Sequence, residues 1–180
     1  MARLTQRLGL TRYEADEYYK QALEAYRKRK LNDAILAMEQ AIQLLPTNSE
    51  YYAARGFFYL EDGLENEAAA DFERALQIHA YEPLAHYGRG MIAYNAKSWD
   101  EALEHFTSAY HVDPQRPETL YYLALVCHRK GQNAQALSFM QQAHAIFDQK
   151  GDKRKNDANR WIKELDKQVK KAQLPPGEIK

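Results

Sequence analysis

Small and apolar side chains recur along this chain at intervals of three and four residues, as in Tyr52, Gly56 and Tyr59 and then Ala68, Phe72 and Ala75. That period places them on one face of a helix. The blocks predict helices near 12–29, 32–45, 49–62, 65–79, 83–96, 99–112, 117–130 and 133–148. Start signals agree with this division. Thr11-Arg12-Tyr13-Glu14, Thr47-Asn48-Ser49-Glu50 and Ser98-Trp99-Asp100-Glu101 read as capping boxes, and Pro83 and Pro117 suit the first turn of a helix. Gly63 and Gly131 stand where a left-handed residue ends a helix. Arg29 and Lys97 occupy the corresponding places in two other turns, which should cost roughly 1 kcal/mol relative to glycine. Pro46 and Pro114 close two of the later helices, with Ala80 and Asp148 in their place elsewhere.

The same pattern returns every 34 residues, with copies starting at Ala15, Ser49, Pro83 and Pro117 and no insertion between them. Ala22, Gly56, Gly90 and Ala124 stand in phase, as do Ala34, Ala68, Ala102 and Ala136. A large apolar column follows at Met38, Phe72, Phe106 and Met140, and a second alanine column at Ala41, Ala75, Ala109 and Ala143. Each small column has a physical cause, because two helices approach within about 8–10 Å only where side chains are small. The large column fills the space beside them.

This pattern resembles the tetratricopeptide repeat family, whose helix–turn–helix motif prefers a small residue at Gly56 and Gly90. It also prefers a large apolar residue at Tyr59, alanine at Ala68 and Ala75, an aromatic at Phe72 and proline at Pro46 and Pro114. The resemblance covers about residues 15–150 and implies an all-α fold, a right-handed superhelical array of four units plus a C-terminal capping helix. The expected organisation is an N-terminal segment at 1–14, repeats at 15–48, 49–82, 83–116 and 117–150, a capping helix at 151–172 and a flexible tail at 173–180. In the capping segment, Trp161, Ile162, Leu165 and Val169 form a narrow apolar stripe, and Ala158 and Trp161 keep the phase of a first helix. A terminal repeat needs such a polar-backed cover. Its lysines Lys167, Lys170 and Lys171 read as a solvated face, with contact to an acidic partner or phosphate as the sharper alternative.

In a stacked array the first helices line one concave surface. One stripe of each first helix packs inside its own hairpin, and the stripe displaced by one residue lies about 100° round the helix, toward the groove. That stripe reads Tyr19, Leu23 and Tyr26; Ala53, Phe57 and Leu60; Tyr87, Met91 and Tyr94; then Tyr121, Leu125 and His128. Arg27, Glu61, Asn95 and Arg129 follow it as a polar rim. Two readings stay open. Neighbouring first helices bury the stripe against each other, above all at Leu23, Phe57, Met91 and Leu125, or the tyrosines remain accessible as a ladder for an apolar segment. Leu4, Leu8 and Leu10 of the N-terminal segment are a third candidate occupant.

Charge and chemistry narrow the function. The 25 basic and 25 acidic residues balance, so no global field draws nucleic acid or an anionic membrane. One cysteine, Cys127, excludes a disulfide framework and reads as a small buried hydrophobe. No apolar run reaches the roughly 20 residues of a membrane span, and Met1 to Leu10 lacks a leader pattern. A cytoplasmic protein is therefore expected. The histidines carry no His-Glu-x-x-His pair and no glycine-rich phosphate loop is present, so neither metal nor cofactor is expected, and no enzymatic activity. Some members of the family hold a peptide's terminal carboxylate with basic and amide residues. The matching places here are Tyr19, Leu23, Ala54, Leu84 and Gly88, so no such ligand is expected. The reading is a non-enzymatic interaction module, an adaptor or scaffold that takes an extended or helical apolar segment of another protein. The alternative is a homo-oligomerising scaffold that uses the same aromatic surface.

Overall fold

A computed structural model of the protein describes residues 9–173. The chain is all-α, a tandem array of helix–turn–helix units followed by one further helix. In order the helices are α1 (Leu10–Arg27), α2 (Leu31–Leu44), α3 (Ser49–Glu61), α4 (Glu65–Ile78), α5 (Pro83–Asn95), α6 (Trp99–Val112), α7 (Pro117–Arg129), α8 (Asn133–Gln149) and α9 (Lys155–Gln173). These bounds fall within a few residues of those predicted from periodicity. Two compact units divide the chain after Ile92, inside α5 rather than at a repeat boundary.

The first unit is built on the small columns. Ala15, Ala22, Ala34, Met38, Ala41, Ala68, Phe72 and Ala75 are wholly excluded from solvent. Phe72 explains two glycines. A Cβ at Gly56 would stand 2.8 Å from Phe72 Cε1, and one at Gly88 only 2.1 Å from Phe72 Cζ, so the ring lies directly on the backbones of α3 and α5. Beside it, Arg55 on α3 grips Asp71 on α4 through two bonds of 2.7 Å. The guanidinium also lies 5.8 Å and 5.7 Å from the rings of Tyr52 and Tyr59, so this largely buried charge pair is enclosed by aromatic faces.

The second unit uses the same columns with different fillers. Ala102, Phe106, Ala124, Ala136, Met140 and Ala143 are buried. Here Phe106 stacks on Tyr122 at 5.4 Å, the residue one repeat after Gly88. Cys127 is fully buried, and burial pushes its thiol pKa up, as suits an inert core residue. Helix α9 packs on α8, with Ala158 and Leu165 wholly excluded from solvent. Its entry is pinned by Arg154, which bonds Asp152 at 2.6 Å and Glu118 at 2.7 Å and lies 4.6 Å over the Phe147 ring.

The inner turns repeat as faithfully as the cores. Arg29, Gly63, Lys97 and Gly131 all have left-handed φ, between 59° and 80°. Glycine holds that conformation without penalty, and Arg29 and Lys97 hold it under strain. The capping boxes do not form as predicted. Helix α1 begins at Leu10 after a left-handed Gly9, and Thr11 lies inside it. Helix α3 is capped by Asn48, which accepts from the Glu50 N–H at 3.0 Å, rather than by Thr47. Ser98 precedes α6 but its hydroxyl caps nothing. Lys30, Leu64, Ser98 and Gln132, which lead into the second helices, have ψ between 56° and 74°. That falls short of the extended backbone from which a cap side chain folds back onto the first N–H groups.

Candidate partner-binding face

Each unit carries a first-helix face of its own, on α1, α3 and the first part of α5 in one unit and on the end of α5, α7 and α9 in the other. In the first unit, Tyr19, Leu23 and Tyr26 descend α1 at spacings of four and three residues, and all are half-buried. Tyr26 stacks on Phe58 at 5.0 Å and meets Phe57 edge-on at 6.0 Å. Phe57 in turn lies 6.4 Å from Tyr87. Leu60 and Met91 are half-buried, whereas Ala53 is fully buried and Tyr87 only 5% exposed. Successive first helices therefore pack through this stripe, and Tyr87 forms its floor. Arg27 is exposed at the end of α1 and lies 3.9 Å from Glu24.

In the second unit, Tyr94 meets Trp99 and Tyr122 edge-on, each at 5.4 Å. Tyr121, Leu125 and His128 run down α7 half-buried. The Trp161 indole of α9 closes over this row. It reaches the Tyr121 hydroxyl and lies 5.5 Å from the His128 ring. His128 Nδ1 also lies 2.9 Å from Asn133 Oδ1. Asn95 is exposed, as is Arg129, whose guanidinium sits 5.9 Å over the Trp99 ring.

The structure adds residues that the stripe did not include. The Tyr19 hydroxyl donates to Glu50 Oε1 at 2.7 Å, and the Tyr51 hydroxyl donates to Asp16 Oδ1 at 2.6 Å. The Ser49 hydroxyl donates to Glu82 Oε2 at 2.8 Å. Burial, first, and then the neighbouring carboxylates raise the pKa of both Tyr19 and Tyr51 above the ordinary phenol value. A sequence signal for this group existed. Asp16 and Glu50 occupy one column of the repeat, whose later places are Leu84 and Glu118, whereas Glu82 stands two residues before that column.

The places that match the carboxylate-holding residues of some relatives are equally plain. Tyr19 has its hydroxyl proton committed to Glu50, Ala54 is 3% exposed, Gly88 is covered by Phe72, and Leu23 and Leu84 are half-buried apolar groups. Among the described residues no group of three or more His, Cys, Asp or Glu side chains is arranged to hold a metal ion. No described helix is long and apolar enough to cross a membrane.

Family models described as tetratricopeptide repeat match residues 19–83, 66–117 and 93–152. The chain belongs to the tetratricopeptide repeat family. Among curated proteins it is similar to the photosystem I assembly protein Ycf3 of Rippkaea orientalis, with 25% identity over 118 residues, 59% of this chain and 66% of that protein. The chain thus spans just under two thirds of that relative's length. Among solved structures it is similar to Pseudomonas aeruginosa pilF, with a TM-score of 0.76 and 16% identity over 89% of this chain and 71% of that one. The first TPR of Spaghetti (RPAP3), bound to the HSP90 peptide SRMEEVD, aligns with a TM-score of 0.60 and 16% identity over 66% of this chain and 94% of that one. These structural likenesses are of fold.

Proposed function

We propose that this chain is a non-enzymatic interaction module that holds an apolar or amphipathic segment of another protein on the first-helix face. The observation that carries the reading is that each unit shows half-buried aromatics on its first helices, on α1 in one and on α7 in the other. Tyr19 and Tyr26 in one unit and Tyr121 in the other are fixed by ring contacts, Tyr19 also by its hydrogen bond to Glu50, yet keep part of their surface in water. Such side chains offer a large apolar area whose rotamers are already fixed, so ordering costs little on binding. Repeat families present surfaces of this kind to partners, and the assembly factor among the relatives fits a protein that handles other proteins. A peptide ending in an acidic carboxylate motif is not the ligand on this reading, because the five matching places supply neither a positive charge nor an amide.

The test compares capture of partner proteins by the wild type with capture by Tyr26→Ala and Tyr121→Ala. Leu36→Ala, an exposed leucine of the second helix α2, is the control, and circular dichroism verifies folding of all three. Loss of the same captured proteins from both tyrosine variants, with the control unchanged, supports the face. Equal capture by all three removes it.

A further inference from the structure

The apolar stripe of the first unit ends at three carboxylates that form no ion pair among the described residues, although Lys20, which pairs with Glu17, also feels the charge of Asp16. Asp16, Glu50 and Glu82 surround the Tyr19 and Tyr51 hydroxyls, and among the described residues their hydrogen bonds are accepted from hydroxyl groups. Glu82 is 8% exposed and is held by the Ser49 hydroxyl. Other acids of the same unit are paired with cations: Glu17 with Lys20, Glu24 with Lys28, Glu61 with Arg29 and Asp71 with Arg55. The contrast sets the end of the stripe apart from the ordinary ion pairs of the unit's surface.

Resting on the reading of this face as the partner site, we infer that its occupant is a basic amphipathic segment. Its apolar side chains lie along Tyr19, Leu23, Tyr26 and Phe57, and a Lys or Arg enters between Asp16, Glu50 and Glu82. Charge complementarity selects this chemistry. The Tyr19, Tyr51 and Ser49 hydroxyl protons are already donated to carboxylates, so an incoming carboxylate meets mainly acceptors, with the Asn48 amide beside Tyr51 as a neutral donor. An ammonium or guanidinium brings donors alone and meets carboxylate oxygens and hydroxyl lone pairs. The guanidinium's planar fork suits such a site better than an ammonium. An apolar stripe with an acidic end also orients the segment, since only one end of it carries the matching charge.

The test uses fluorescence anisotropy with two labelled synthetic helical peptides that share one leucine pattern. In one the polar positions are arginine, in the other glutamate. The full chain is compared with a Glu50→Gln, Glu82→Gln double variant and with an Asp33→Asn, Asp62→Asn variant of equal charge change. The arginine peptide is expected to bind, to weaken with salt, and to lose about tenfold or more in affinity in the first variant, with the second unchanged. Equal binding of both peptides, or equal loss in both variants, overturns the inference. Tyr26→Ala separates it from the underlying reading. Loss of binding in Tyr26→Ala without loss in the carboxylate variant keeps the face and removes its charge preference. Loss in the carboxylate variant without loss in Tyr26→Ala removes the face. A gain in affinity on changing Arg3 and Arg7 to Gln in the full chain assigns the site to the chain's own N-terminal segment and overturns an external partner. Concentration-dependent sedimentation abolished by the Glu50→Gln, Glu82→Gln change assigns it to a second copy, with the same consequence.

Discussion

Replacing Gly88 with alanine sets two opposed effects against each other in a helix interior. In α5 the added methyl improves helix propensity by about 1 kcal/mol. The same Cβ stands 2.1, 2.3 and 2.6 Å from three atoms of the Phe72 ring, where ordinary contact begins at 3.4 Å. The ring must therefore retreat by about an ångström or more, and it has nowhere to go because Phe72 is wholly buried. Overpacking of this kind costs about 1–3 kcal/mol, and the depth of the overlap places it at the upper end. Net destabilisation of about 1–2 kcal/mol follows, a fall in Tm of about 2–8 °C for a chain of this size. Thermal melts of Gly88→Ala, Phe72→Leu and the double variant measure it. The smaller side chain should rescue the alanine, with a favourable coupling of about 1 kcal/mol in the double-mutant cycle. A rise in Tm on Gly88→Ala alone would refute the packing argument and leave propensity as the controlling effect.

Other consequences follow from strain, titration and the terminal helix. Lys97→Gly should raise stability by about 0.5–1 kcal/mol in urea unfolding by relieving a left-handed lysine, whereas Gly131→Ala at the equivalent turn should lower it by a similar amount. Tyr19 and Tyr51 have folded pKa values raised above the unfolded value of about 10, so their contribution is present below that pH and is lost as pH rises through it toward the folded values. Denaturant midpoints should fall above about pH 10, and less steeply in a Tyr19→Phe, Tyr51→Phe variant. Leu165→Ala should cost about 2–5 kcal/mol, since its side chain is wholly excluded from solvent, and hydrogen exchange should show the loss concentrated in α8 and α9.

The parts of the fold that were legible in the sequence are those on which four copies vote together. The alanine columns, Phe72 and Phe106 and the left-handed turns at 29, 63, 97 and 131 recur in phase, so the packing need is visible even where Arg29 and Lys97 violate the local preference. Gly88 was not legible, because its column reads Lys20, Ala54, Gly88 and Tyr122. A ring on bare backbone in one unit is answered by ring stacking on Tyr122 in the other. The site was legible as a stripe but not as a surface. Periodicity places Tyr19, Phe57 and Tyr87 on one face, yet it cannot say that Tyr87 is the floor while Tyr19 remains half-exposed. That distinction depends on how closely neighbouring helices approach. Glu82 was the hardest to see, since it is held by Ser49 about one repeat before it and acts on Tyr19 from nearly two repeats away.

Site-specific photo-crosslinking tests the central claim most directly. A photoreactive phenylalanine analogue placed at Tyr26, Leu60 or Tyr121 is compared with the same analogue at Leu36 or Gln77, exposed positions on the second helices. A captured partner is expected to crosslink from the first-helix positions and not from the second-helix ones. Crosslinks confined to Leu36 and Gln77 would contradict it.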